Sequence, residues 1–148
     1  MNRRVGHLAR RAIGSLSNAK VNATDIERVR NVLLPQEMTL WLQQQPRDQR
    51  HSAAVWDRFV DIYKDPSLDE QRACLLHDLG KCQSDVGWCG RVLATLLGGR
   101  TDNLRKYLKH EQLGVQLLQG ISSPRTIEIL SGTANDSASL AIIEADNF

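Results

Sequence analysis

Five side chains in this sequence stand out as candidate ligands for a divalent metal: His51, the adjacent His77 and Asp78, His110 and Asp146. Their helical context makes them a set. His51, Val55, Phe59 and Ile62 recur at intervals of four, four and three, which is one face of a helix. Ala73, Leu76, His77 and Gly80 form a second such stripe. Tyr107, His110, Gly114 and Leu117 form a third, and Ser139, Ile142, Ile143 and Asp146 a fourth. Four helices therefore aim a histidine or an aspartate along an apolar face. An imidazole or a carboxylate buried alone is costly, and one shared cation satisfies all of these groups together. Neighbours on a helix lie about 100° apart, so His77 and Asp78 meet one ion only if it sits over the end of their helix. Gly80 is a candidate for that end. Three imidazoles and two carboxylates, with no thiolate, suit Mn, Fe, Co, Ni or Zn, with Mg as an alternative; they make a poor calcium site.

The elements that must hold these groups read as all helical. Strand-like alternation and Asn-Gly or Asp-Gly hairpin turns are missing from the sequence. Thr24 with Glu27, and Ser67 with Glu70, fit the capping box. Pro35 and Pro124 fit first helical positions. Gly80, Gly98–Gly99, Gly120 and Gly132 are candidate stops. Helices are predicted over 3–16, 25–34, 36–44, 48–63, 68–80, 87–97, 102–119, 124–131 and 137–147. Residues 1–46 are expected to form an N-terminal helical extension packed on a main domain of residues 47–148.

Composition narrows the partners. The chain has 148 residues, 41% of them hydrophobic, enough for one domain with a genuine core. A net charge of +2 is too small to point to nucleic acid, so no specific nucleic-acid binding is expected. No apolar run is long enough to span a bilayer. The basic start, with Arg3, Arg4, Arg10 and Arg11, lacks the apolar stretch of a secretory signal, so a cytoplasmic protein is expected. Cys74, Cys82 and Cys89 do not have zinc-knuckle spacing and are expected to be free thiols.

The order His51…His77-Asp78…His110…Asp146 resembles the H…HD…H…D pattern of the HD-domain superfamily of metal-dependent phosphohydrolases. The run Leu75-Leu76-His77-Asp78-Leu79-Gly80-Lys81 is the most specific part of the match. Gln49-Arg50-His51-Ser52, His110-Glu111-Gln112-Leu113-Gly114 and Glu144-Ala145-Asp146 resemble its outer ligand segments. The match covers about residues 47–148 and is similar to small bacterial HD-domain proteins. It implies a compact helical bundle with a central metal. Dinuclear members carry further histidines before the last aspartate. Residues 111–145 contain none, so a single metal is expected. For the last ligand Asp136 competes with Asp146. Asp136 precedes a helix and is explained by capping, and Asp146 is preferred.

The resemblance implies hydrolysis of a phosphate ester, with a small phosphorylated molecule or a nucleotide as substrate. Asp78 is expected to orient a water or take its proton. Lys81, in the HDxGK run, is expected to offset phosphoryl charge. Arg50, Trp88, Arg91 and Glu111 are candidate substrate contacts, each with a simpler reading as surface charge or packing. The alternatives are a non-catalytic module that binds a metal, a nucleotide or a partner, and a purely structural metal.

Overall fold

Helix starts in this chain are set by side chains that satisfy the free N–H groups of a first turn. The computed structural model describes residues 19–80 and 110–148, without the side chains of 110–113. Among the described residues there are seven helices and no strand. They are α1 (Ala23–Arg30), α2 (Pro35–Leu42), α3 (Pro46–Ile62), α4 (Leu68–Leu76), α5 (His110–Leu118), α6 (Pro124–Leu130) and α7 (Ser137–Asp146). The helices expected over 3–16 and 87–97, and residues 102–109, lie outside the described residues, as do Cys82 and Cys89.

Three caps follow the sequence reading. Ser67 Oγ accepts from Glu70 N at 3.3 Å, and Glu70 Oε2 accepts from Ser67 N at 2.9 Å, completing a capping box. Ser123 Oγ accepts from Thr126 N ahead of Pro124. Asp136 Oδ1 accepts from Ser139 N and starts α7. The box expected at Thr24 does not form. Asn22 is the cap instead, with Oδ1 2.7 Å from Asp25 N, so α1 starts two residues early. Asparagine is the stronger cap, and Ala23 is well suited to the first turn. α1 also stops short of the expected residue 34. Val32 and Leu33 turn into the core, and Pro35 disfavours helical backbone at Leu34.

The largest departure is at α4. The helix ends at Leu76, and residues 77–80 form a turn. Gly80 therefore ends no helix, whereas Gly120 and Gly132, which follow α5 and α6, have positive φ. The close approach at this turn depends on Gly114. A Cβ on Gly114 of α5 would lie 3.1 Å from Gly80 N, so backbone meets backbone there.

α7 and α4 both pack along α3, α6 packs on α4 and on α5, and α2 packs on α1. The apolar cluster joins Val29, Trp41, Val55, Phe59, Leu75, Leu76, Leu79 and Leu118. Trp41 and Phe59 are fully buried, worth about 2–3 kcal/mol each in area removed from water. Trp41 Nε1 donates to Ser52 Oγ at 2.9 Å, so the indole is polar-satisfied as well. The described part of the N-terminal extension thus shares one core with α3 and α4. Arg28 adds an ion pair to Asp57 and lies over the Trp56 ring. Two residues assigned to apolar stripes are exposed: Ile62 at 38% and Ile143 at 58%. On α7 the buried stripe runs through Ala138, Ala141, Ile142 and Ala145, and its three alanines let α7 lie close against α3. Among the described residues no helix is long and apolar enough to cross a membrane.

Candidate metal centre

The early end of α4 decides how His77 and Asp78 are presented. His77 is the C-cap residue, and Asp78 follows in the turn, so both project from the helix end. α3 brings His51 from one side. The last turn of α7 brings Asp146 from another.

The four groups converge. His51 Nε2 lies 2.9 Å from Asp146 Oδ1 and 3.5 Å from Asp78 Oδ2. His77 Nε2 lies 3.3 Å from Asp78 Oδ1 and 3.5 Å from Asp146 Oδ1. The two imidazole centroids are 5.8 Å apart. His51, His77 and Asp78 each offer a donor atom within 4.8 Å of the others, a grouping that could hold a metal ion.

The tautomer of His77 follows from its other nitrogen. Nδ1 is 2.7 Å from the Cys74 carbonyl oxygen, which can only accept, so Nδ1 carries the proton. Nε2 then faces the two carboxylates as a lone pair when the ring is neutral. It is buried and makes no well-formed hydrogen bond. Lone pair against carboxylate is repulsive, so a proton or a cation is required between them. Burial opposes the charged ring of His77, but the Asp146 and Asp78 carboxylates and the Cys74 carbonyl outweigh it and raise its pKa. His77 first, and then His51, hold the Asp146 carboxyl well below the usual carboxylate range against partial burial.

Burial is uneven across the group. The His77 and Asp78 side chains are 13% and 11% exposed, those of His51 and Asp146 37% and 32%. The cluster is therefore deep on the α4 side and open to solvent on the α3–α7 side.

Asp136, the competitor for the last ligand position, is occupied elsewhere. It caps α7 and pairs with Arg125 Nη1 at 2.7 Å, while Arg125 Nη2 reaches Glu70 Oε1 at 3.0 Å. The Ser139 N–H and the Arg125 guanidinium hold its pKa down to about 2. A carboxyl with a folded pKa below its unfolded value stabilises the fold above about pH 4, and that contribution is lost as pH falls towards about 2. Thermal melts between those limits should therefore fall more steeply for the wild type than for Asp136→Asn. Parallel curves would refute the linkage.

The other expected site residues divide by position. Arg50 lies half-buried on α3, next to His51 in sequence. On α5, His110 lies one turn before Gly114, whose backbone meets Gly80. The side chains of His110 and Glu111 lie outside the described residues, as do Lys81, Trp88 and Arg91. One acidic group escaped the sequence reading. Asp48 sits one turn before His51 on α3, and its pKa is raised mainly by burial, with Arg47 opposing and Asp78 adding to the rise. Its spacing of three from His51 was the available signal. Cys74 is a free, buried thiol whose pKa burial pushes up.

Comparison with protein-family models, with curated proteins and with solved structures found no match to this chain.

Proposed function

We propose that this chain is a divalent-metal-dependent phosphohydrolase of HD-domain type. His51, His77, Asp78 and Asp146 hold one metal ion, and His110 completes the set. The observation that carries the reading is the Nε2 atom of His77, buried and turned towards two carboxylates with its proton committed to the opposite nitrogen. That arrangement is the one a metal-ligating histidine adopts, with the outer N–H held by a carbonyl. The donor set of imidazole and carboxylate fits a mid-row transition metal. The register of α5 supports His110, because Gly114, one turn on, abuts the turn that carries His77 and Asp78. The H…HD…H…D order in the sequence supports the same reading.

When bound, a divalent ion supplies charge to phosphate oxygens and makes a water more acidic. The chain's own residues supply the rest. The Cys74 carbonyl fixes the orientation of the His77 ring. Asp78 turns Oδ2 to His51 and Oδ1 to His77, which places its carboxylate to hold an attacking water or take its proton. The half-exposed His51 and Asp146 leave the cluster accessible from the α3–α7 side, which favours an exchanging site over a closed structural one. Lys81, next after the turn, and Arg50 are the proposed phosphate contacts, with Trp88, Arg91 and Glu111 as further substrate contacts. The substrate class is a small phosphate ester, including nucleotides.

The test is elemental analysis of the purified protein, followed by phosphomonoesters, nucleotides and cyclic nucleotides offered with Mn, Fe, Co, Ni, Zn and Mg. Product release with at least one metal is expected. A metal-loaded protein that only shifts its melting temperature with these ligands is a binding module. A metal that neither exchanges nor supports turnover is structural.

A further inference from the structure

The position of Asp146 depends on the end of a helix that supplies little to secure it. The last four carbonyls of a helix have no partner within it, and α7 has no basic residue in its last turn to compensate. Asn147 takes care of two of them. Its backbone N–H lies 3.2 Å from the oxygens of Ile143 and Glu144, and its side-chain amide donates to Ile143 at 2.9 Å. The Ala145 carbonyl, immediately before Asp146, is met from another helix. Arg58 Nε of α3 donates to it at 2.7 Å.

Arg58 and His51 are seven residues apart on α3, two turns along one face. Long helical side chains lean towards the N-terminus of their helix, so Arg58 reaches back in the direction of His51. One helix thus touches the last turn of α7 twice: at the Ala145 carbonyl through Arg58, and at the Asp146 carboxylate through His51. The first contact sets the backbone from which Asp146 projects, and the second is the contact the site needs.

We infer that Arg58 is a positioning residue. By binding the Ala145 carbonyl it holds Asp146 in reach of His51 and His77, and it stands outside the donor set itself. Its consequence for metal affinity rests on the proposed metal centre; its consequence for the His51–Asp146 contact does not.

The experiment uses the full chain with Co(II) as the probe. Arg58→Met keeps the length of the side chain and removes the donor, and Arg58→Lys keeps a charged donor. Asp136→Asn is the control, because it removes the charge paired with Arg125 at the opposite end of the same helix. Cobalt affinity, its visible spectrum and the melting temperature are measured for each. Arg58→Met is expected to bind cobalt about tenfold more weakly with an altered spectrum, the size typical of groups that orient a ligand, and Arg58→Lys to recover most of the loss. Asp136→Asn is expected to melt earlier with cobalt affinity within about twofold of wild type. Wild-type affinity in Arg58→Met, with a clear loss in Asp146→Asn, overturns the role of Arg58 and leaves the site standing. Loss in Arg58→Met that Arg58→Lys does not recover and Asp136→Asn reproduces marks a general stability effect and also overturns it. If the wild type takes up no cobalt, the metal centre falls, and the His51 ring resonance of the metal-free protein decides for Arg58. A resonance shifted in Arg58→Met as it is in Asp146→Asn supports the positioning role, and an unmoved one overturns it.

Discussion

Replacing His77 and Asp78 together by alanine is expected to leave a folded protein that retains no divalent metal and hydrolyses no phosphate ester. The two side chains are the deepest members of the cluster, and each faces two others of its four groups or stands beside them at 3.3–3.5 Å. Losing groups that merely orient a ligand costs about 10–100-fold in metal affinity, so losing two donors should exceed about 100-fold. The fold should survive. α4 is anchored by Ala73, Cys74, Leu75 and Leu76, all buried and all before the turn. The metal-free variant forfeits the His77–Cys74 hydrogen bond, worth about 1 kcal/mol, and loses one of two carboxylates crowded at the site. Elemental analysis and circular dichroism on the same preparation check both halves. Full metal content in the double variant would sink the proposed centre, and so would a wild type that never binds metal.

The largest effect on stability is expected far from that chemistry, at Glu37 on α2. Its side chain is fully buried. Oε2 accepts from the Leu34 backbone N–H at 2.8 Å, closing the first turn of α2, and Oε1 accepts from Ser122 Oγ at 2.6 Å. Arg72 Nε stands 3.8 Å away and also donates to the Val32 carbonyl at 2.8 Å, while Arg72 Nη1 pairs with Asp69 at 2.9 Å. One carboxylate therefore ties the N-terminal helices to α4 and to the segment between α5 and α6. Glu37→Leu fills the space but strands a backbone donor, a hydroxyl and part of the charge balance of Arg72. Removing one partner from a buried charged network costs about 3 kcal/mol or more. In a chain of this size that lowers the melting temperature by roughly 10 °C. Glu37→Gln keeps an acceptor and should lose about 1 kcal/mol. Thermal melts of the two variants, and equal loss in both or no loss in either, would show that the network contributes differently.

Glu37 also marks the limit of what local pattern could reveal. Its position two residues after Pro35 fits an acidic residue in a first helical turn, and nothing nearby in sequence signals Ser122 or Arg72. The histidine–aspartate cluster was more legible, since such groups on apolar faces are improbable without a shared partner. Even there the reading of the faces was imperfect. Ile143 shares the predicted stripe of Asp146 but faces solvent, because α7 packs through its alanines. The expected helix over 68–80 ran through the site, whereas the real α4 stops short of it, and this is what allows adjacent His77 and Asp78 to meet the same partners.

By itself the amino-acid sequence determined the helical class, most of the described helix starts and which histidines and aspartates were candidates to meet. These depend on interactions within a few residues: a hydroxyl meeting an N–H three positions on, a proline at a first turn, an apolar residue every three or four. The sequence already favoured Asp146 over Asp136; tertiary structure alone decided that its carboxylate meets His51, that Gly114 approaches the backbone of Gly80, and that Arg58 binds the Ala145 carbonyl at the end of α7. His51 and Asp146 are 95 residues apart, and only the packing of α7 along α3 brings an imidazole and a carboxylate from those positions to 2.9 Å.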